Sequence, residues 1–239
     1  MRYPPQPSWF RNRGIVYARK GDREKAIREL TEAVRINPAD PLTYVDRGVF
    51  YKELKDYGKA IADYSEAIRL DPRWSTTYFN RANVFKIRGD YDKAVSDYSA
   101  AIRLDPKDPD AYFNRANTYR LTKQYARAAD DWSEVVRLDG QDAEARDRLG
   151  WLLATCPDET VRNGERAVEH AGIACELADG KSARYLATLA AAFAEAGRFD
   201  LAVKWQTRAL ESPQYDREEG SSARQRLQLF ENRKPYREE

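Results

Sequence analysis

The sequence predicts an all-α fold, a solenoid of antiparallel helix pairs, and three observations predict it. Laid against itself at a 34-residue offset, the chain aligns in seven columns over residues 7–142. Within each period, aromatic and small residues recur at i, i+4 and i+7 on two successive segments, which is the spacing of one helix face. Each period then closes on proline, at Pro38, Pro72 and Pro106, with Gly140 in that place in the fourth.

The first helices carry Phe10, Tyr44, Tyr78 and Tyr112, then Gly14, Gly48, Ala82 and Ala116, then Tyr17, Tyr51, Phe85 and Tyr119. The second helices carry Ala26, Ala60, Ala94 and Ala128, then Leu30, Tyr64, Tyr98 and Trp132, then Ala33, Ala67, Ala101 and Val135. The glycine or alanine lets two backbones approach, and the neighbouring ring fills the space beside it. Lys20-Gly21-Asp22 and Arg88-Gly89-Asp90 read as turns between the helices of a pair, with glycine available for positive φ. Asn37-Pro38, Asp71-Pro72 and Asp105-Pro106 end the second helices, because the residue before proline is pushed out of the α region.

Beyond residue 142 the pattern alters. Leu149, Gly150 and Leu153 restart a first helix, and Ala167 and Ala174 mark its partner, with about five extra residues in the turn between Cys156 and Gly164. A sixth unit follows, with Leu189, Ala190 and Phe193, a turn at Gly197, then Ala202 and Ala209. After Pro213 an amphipathic segment with Leu227 and Phe230 on one side reads as a capping helix over about 217–232, which a solenoid needs to cover its last apolar face. Lys234 to Glu239 is polar and expected to fray. The repeats fall at about 7–40, 41–74, 75–108, 109–142, 143–182 and 183–216, giving a single solenoid domain over 1–239.

Composition agrees with an ordered chain: 42% apolar, 33% charged and 12% aromatic, too aromatic for a disordered one. The net charge of +2 is interleaved along the chain, with no basic block to mark a nucleic-acid partner. Cys156 and Cys175 belong to no CxxC pair, so no disulfide framework, metal site or cofactor is expected, and free thiols suit a reducing compartment. No apolar run reaches the roughly 18 residues of a membrane span. Met1-Arg2-Tyr3-Pro4-Pro5 shows no signal-peptide h-region, so a cytoplasmic location is expected.

The period, the columns and the proline resemble the tetratricopeptide repeat family over residues 7–142. A pentatricopeptide array has a similar period, but its RNA reading needs a basic groove that these columns lack. The resemblance implies a right-handed superhelical solenoid whose first helices line a concave groove for protein partners. It also implies a non-catalytic scaffold, with a regulatory or targeting module of a larger enzyme or signalling protein as the alternative. LGWLLATCPD, residues 149–158, with Arg162-Asn163-Gly164 resembles a module of multi-repeat bacterial proteins.

Catalytic chemistry has little support. His170 is the single histidine and has no arranged partner, the two cysteines lack a nearby base, and Arg88-Gly89-Asp90 falls where every repeat turns. A polar column is more informative. Arg13, Arg47, Arg81 and Arg115 stand where the family usually carries leucine, and Glu29, Asp63, Asp97 and Asp131 recur in step on the second helices. These residues predict a ladder of Arg–carboxylate pairs within the repeats.

The groove face implied by the resemblance carries Asn12, Asp46, Asn80 and Asn114, preceded by Arg11, Val45, Phe79 and Phe113. One turn on come Ile15, Val49, Asn83 and Asn117, then Ala18, Lys52, Lys86 and Arg120. Asparagine is a poor helix former, so its recurrence asks for a reason. Its amide both donates and accepts, which suits the backbone of an extended peptide. Phe79 and Phe113 would add apolar pockets, and the cations would favour an acidic or carboxylate-bearing partner. The simpler reading is solvated polar residues copied by repeat duplication. Some members of the family hold chaperone tails in a two-carboxylate clamp. Asn83, Asn114 and Arg148 match that clamp, while Phe79 and Glu144 replace its lysines. The oligomeric state and the partner's identity are open at this stage.

Overall fold

The computed structural model describes residues 6–238, which leaves the opening segment Met1 to Pro5 outside the described residues. Among the described residues all regular structure is α-helical, in thirteen helices. The chain divides into two compact units, Met1–Thr118 and Tyr119–Glu239.

The first unit holds α1 (Pro7–Arg19), α2 (Arg23–Ile36), α3 (Pro41–Glu53), α4 (Tyr57–Leu70), α5 (Ser75–Ile87) and α6 (Tyr91–Leu104). It also holds most of α7 (Pro109–Leu121). Helices α1 and α2, α3 and α4, and α5 and α6 pack as pairs, and α2 on α3 and α4 on α5 join the pairs. The predicted columns form the core, with Ala26, Leu30, Ala60, Tyr64, Ala82, Ala94 and Tyr98 fully buried. Gly48 shows why that column must be small: a Cβ there would lie 2.9 Å from the Tyr64 ring.

The Arg–acid ladder is present. Arg47 grips Asp63 through Nε and Nη2, both at 2.8 Å, and Arg81 grips Asp97 at 2.7 and 2.9 Å. Arg13 reaches Glu29 with one bond of 2.7 Å. Each of the inner arginines also donates Nη1 to a hydroxyl on the preceding second helix. Arg47 reaches Thr31 at 3.2 Å, Arg81 reaches Ser65 at 2.9 Å, and Arg115 reaches Ser99 at 2.9 Å. The ladder therefore links neighbouring repeats as well as the two helices of one repeat.

Each first helix of this unit up to α5 ends in a 6→1, 5→2 bond pair around one left-handed residue. Gly21 (φ 86°) and Gly89 (φ 80°) supply it in two turns, and Lys55 (φ 61°) supplies it after α3. Asp56 N–H bonds to Tyr51 O at 2.8 Å, and Lys55 N–H to Lys52 O at 3.0 Å. A side chain in this region pays a steric cost that glycine avoids. Lys55→Gly should therefore stabilise the chain by roughly 0.5–1 kcal/mol, read as a higher urea midpoint at unchanged m-value. A lower midpoint would show that the lysine side chain outweighs the backbone.

The second unit holds α8 (Tyr125–Leu138), α9 (Ala143–Thr155), α10 (Gly164–Leu177), α11 (Ala183–Glu195), α12 (Phe199–Leu210) and α13 (Pro213–Glu231). Pairs α9–α10 and α11–α12 pack together, α9 and α10 both meet α11, and α13 covers α12 and part of α11. The enlarged turn spans residues 156–163, eight residues where three join α3 to α4. Arg162 pins it, donating to Cys156 O at 2.9 Å and to Glu195 at 3.2 Å, while Asn163 caps α10 through Arg166 N–H at 3.0 Å.

The final helix starts at Pro213, a few residues ahead of the sequence expectation. Ser212 caps it by accepting from Tyr215 N–H, and proline fits a first helical turn that needs no donor. Its buried side is Tyr215, Ala223, Arg226 and Phe230. The expectation of a frayed end over Lys234 to Glu239 is corrected for residues 234–238, while Glu239 lies outside the described residues. The segment is bonded back onto α9, because the last turn of α13 reverses the chain toward that helix.

Candidate functional site

In the first unit half of the candidate groove residues already have partners. Asp46 accepts from Arg11 Nε at 2.7 Å, which ties α3 to α1. Burial raises the Asp46 carboxyl and Arg11 opposes that shift. Asn83 accepts the Tyr98 hydroxyl at 2.6 Å, and the Phe79 ring packs against Tyr98 with centroids 5.9 Å apart. A buried tyrosine needs an acceptor, so packing explains this mid-helix asparagine. Lys86 Nζ donates to Asn114 Oδ1 at 2.7 Å, and Asn114 Nδ2 donates to Asp110 O at 2.9 Å. Burial lowers the Lys86 ammonium. Lys52, Asn80, Phe113 and Asn117 are half-buried, and Asn12 is exposed. The structure thus brings Phe79 and Asn83 together at Tyr98, and Lys86 to Asn114, without gathering the whole set at one point.

Arg120 and Arg148 belong to the second unit, where both line a cavity of about 370 Å³ together with Arg184 and Arg226. Acids partly balance these four cations. Arg148 reaches Glu144 at 3.1 Å, Arg184 reaches Asp147 at 3.2 Å, and Arg120 reaches Glu238 at 3.2 Å. Nε of Arg120, Arg148 and Arg226, and Nε1 of Trp132, are buried with no acceptor among the described residues. Trp151 and Tyr215 supply apolar wall, and Arg226 donates to the Tyr215 hydroxyl at 2.9 Å.

Sequence reasoning did not select Asp147 or Trp151, although the signal was there. They stand one 34-residue period after Phe113 and Asn117, as Arg148 does after Asn114. Arg184, Arg226 and Glu238 fall outside the regular period and carried no such signal.

Burial raises the Asp147 carboxyl, with Thr188 and Arg184 opposing. A carboxyl raised in the folded state favours folding while protonated. That contribution is complete below the ordinary aspartate value and is lost as pH rises through the raised one. Asp147→Asn should raise the melting temperature near pH 7, and the gain should shrink as pH falls through the raised value and be smallest below the ordinary aspartate value. A gain independent of pH would place the effect elsewhere.

The remaining titratable candidates have structural settings. Both cysteines are free and buried, and burial raises both thiols, Cys175 to about 12, so the nucleophilic thiolate is disfavoured. Burial lowers His170 and favours its neutral form. Arg88-Gly89-Asp90 forms the turn after α5. No helix among the described residues is long and apolar enough to cross a membrane.

Comparison with known proteins bears on this arrangement. Tetratricopeptide repeat models match residues 7–40 and 41–73, and a TPR repeat model matches residues 82–122. No curated protein matches the sequence. The structure is similar to PilF of Pseudomonas aeruginosa, with 19% identity, a TM-score of 0.69, and coverage of 95% of this chain and 97% of that one. YrrB, described as a TPR protein with an unusual peptide-binding site, is 21% identical with a TM-score of 0.67, covering 76% of this chain and 91% of that one. MamA of Desulfovibrio magneticus, from residue 41 to its end, is 22% identical with a TM-score of 0.66, covering 74% and 98%. At these identities the likeness concerns the fold. With repeat matches over residues 7–73 and 82–122, the chain is a tetratricopeptide repeat protein.

Proposed function

We propose that this chain is a non-catalytic scaffold that binds an acidic or carboxylate-bearing peptide, or a partner helix, in a groove lined by its first helices. Tetratricopeptide repeats are protein–protein interaction modules, so the coarse role follows from the family. The observation supporting the finer reading is the arginine-lined cavity of the second unit, with buried N–H groups of Arg120, Arg148 and Trp132 that lack acceptors. A guanidinium presents forked donors that match a carboxylate, and a buried donor without an acceptor gains most from receiving one. Trp151 would hold an apolar part of the ligand. In the first unit Asn12, Lys52, Asn80 and Asn117 offer polar groups to a peptide backbone, beside the half-buried Phe113. YrrB has this fold, and the reading gives this chain the same class of ligand.

The test is calorimetric titration with a glutamate-rich peptide and its glutamine counterpart. Binding of the glutamate peptide, weakened about tenfold by Arg148→Ala (about 1.4 kcal/mol), is the expected result. Equal binding of the two peptides would remove the carboxylate from the reading.

A further inference from the structure

Helix α13 does not end in solvent. Arg233, at φ 55°, donates to Phe230 O at 3.0 Å, and Lys234 N–H donates to Leu229 O at 2.9 Å. This bond pair reverses the chain, and the next three residues after Pro235 meet residues far away in sequence. The Tyr236 ring lies 5.9 Å from the Trp151 ring at 45°. The Arg226 guanidinium stands 5.5 Å from Trp151 and 5.7 Å from Tyr236, so one buried cation serves two rings. Arg237 Nη1 is 2.7 Å from Glu195 Oε2. The backbone N–H of Glu238 donates to Thr155 O at 2.9 Å, satisfying a carbonyl in the last turn of α9 that its own helix leaves open. One carboxylate oxygen of Glu238 accepts from Trp151 Nε1 at 3.2 Å, and the other from Arg120 Nη1 at 3.2 Å.

These contacts are of a different kind from helix capping. A cap covers apolar surface, whereas here an extended segment uses one backbone donor and three consecutive side chains. Each side chain meets a complementary chemistry: ring on ring, cation on acid, carboxylate on cation and indole N–H. Glu238 itself lines the arginine-rich cavity. Resting on the proposed groove reading, we infer that residues 236–238 are a ligand held in cis, and that the site takes partner segments of aromatic–cation–acid pattern that displace this tail. A tethered ligand acts at an effective concentration on the order of 1 mM, so an intrinsic Kd of about 100 μM would weaken an incoming peptide roughly tenfold.

The experiment uses the full chain and a fluorescein-labelled peptide, Lys-Pro-Tyr-Arg-Glu, copied from residues 234–238. A glutamate-rich peptide without aromatic residues serves as the second probe, and anisotropy is the readout. Tyr236→Ala with Glu238→Gln releases the tail, and a melting curve checks that the variant is folded. The parent should bind the labelled peptide weakly and the released variant about tenfold more tightly, with Arg120→Gln in the released background reversing the gain. Equal affinity of parent and released variant would overturn the cis ligand. So would tighter binding of the glutamate-rich probe than of Lys-Pro-Tyr-Arg-Glu, which leaves the acidic groove standing. A folded, released variant that binds neither peptide would overturn both.

Discussion

Arg81→Leu alone should destabilise the chain by roughly 3 kcal/mol, and adding Asp97→Leu should restore most of that loss. The Asp97 side chain is 9% exposed and the Arg81 side chain 19%, so removing the arginine leaves a carboxylate in a poorly hydrated place. Asp97→Leu should cost less than Arg81→Leu. The stranded guanidinium keeps its bond to Ser65 and its positions 5.9 Å from the Tyr78 ring and 5.8 Å from the Phe85 ring. The double variant replaces two desolvated charges by apolar side chains that pack without needing partners. A double-mutant cycle by urea unfolding measures this ordering. A double variant as unstable as the sum of the singles would refute it. The outermost rung is the internal contrast: Arg13 is 56% exposed, and Arg13→Leu should change stability little.

Gly164→Ala should cost roughly 2–3 kcal/mol although alanine is the better helix former. A Cβ at residue 164 would stand 2.6 Å from Ala196 N and 2.8 Å from Ala196 Cα. Both are backbone atoms just past the end of α11, so no rotamer change relieves the contact and α10 must move away. That movement would also loosen the turn pinned by Arg162 on Glu195, at 3.2 Å. Gly172, two turns further along the same helix, has nothing within 4 Å of an added Cβ. Gly172→Ala should therefore stabilise by roughly 0.5–1 kcal/mol through helix propensity alone. Opposite signs at the two glycines, read from urea midpoints, test the argument. A mild Gly164→Ala would mean that the packing there adapts.

Much of the fold was legible because its causes are local and repeated. Tyr64 and Ala60 are core residues for the same reason as Tyr98 and Ala94, and a period of 34 residues displays that reason several times over. The Arg–Asp ladder could be read in the same way, since a cation at a leucine place needs a counter-charge and an acid recurs in step with it. The groove columns were harder. A repeated Asn83 or Lys86 looks like a ligand-binding residue, yet Tyr98 and Asn114 occupy them, and only the folded chain brings such partners together. The hydroxyl column of Thr31, Ser65 and Ser99 was likewise in view but had no assigned task until the arginines were seen to reach it.

Helical periodicity, the position of the turns and the pairing of each Arg with its acid follow from the sequence alone, because each depends on residues within about one repeat. The tertiary structure decided what the aperiodic residues do. Arg226, Glu195 and Glu238 belong to no column, and the roles of the two acids depend on contacts formed across 33 to 118 positions of chain. No local rule encodes such distances. Spacing could name the first helices as the place to look for a ligand, but only the folded chain shows its own Tyr236–Glu238 segment lying against one of them.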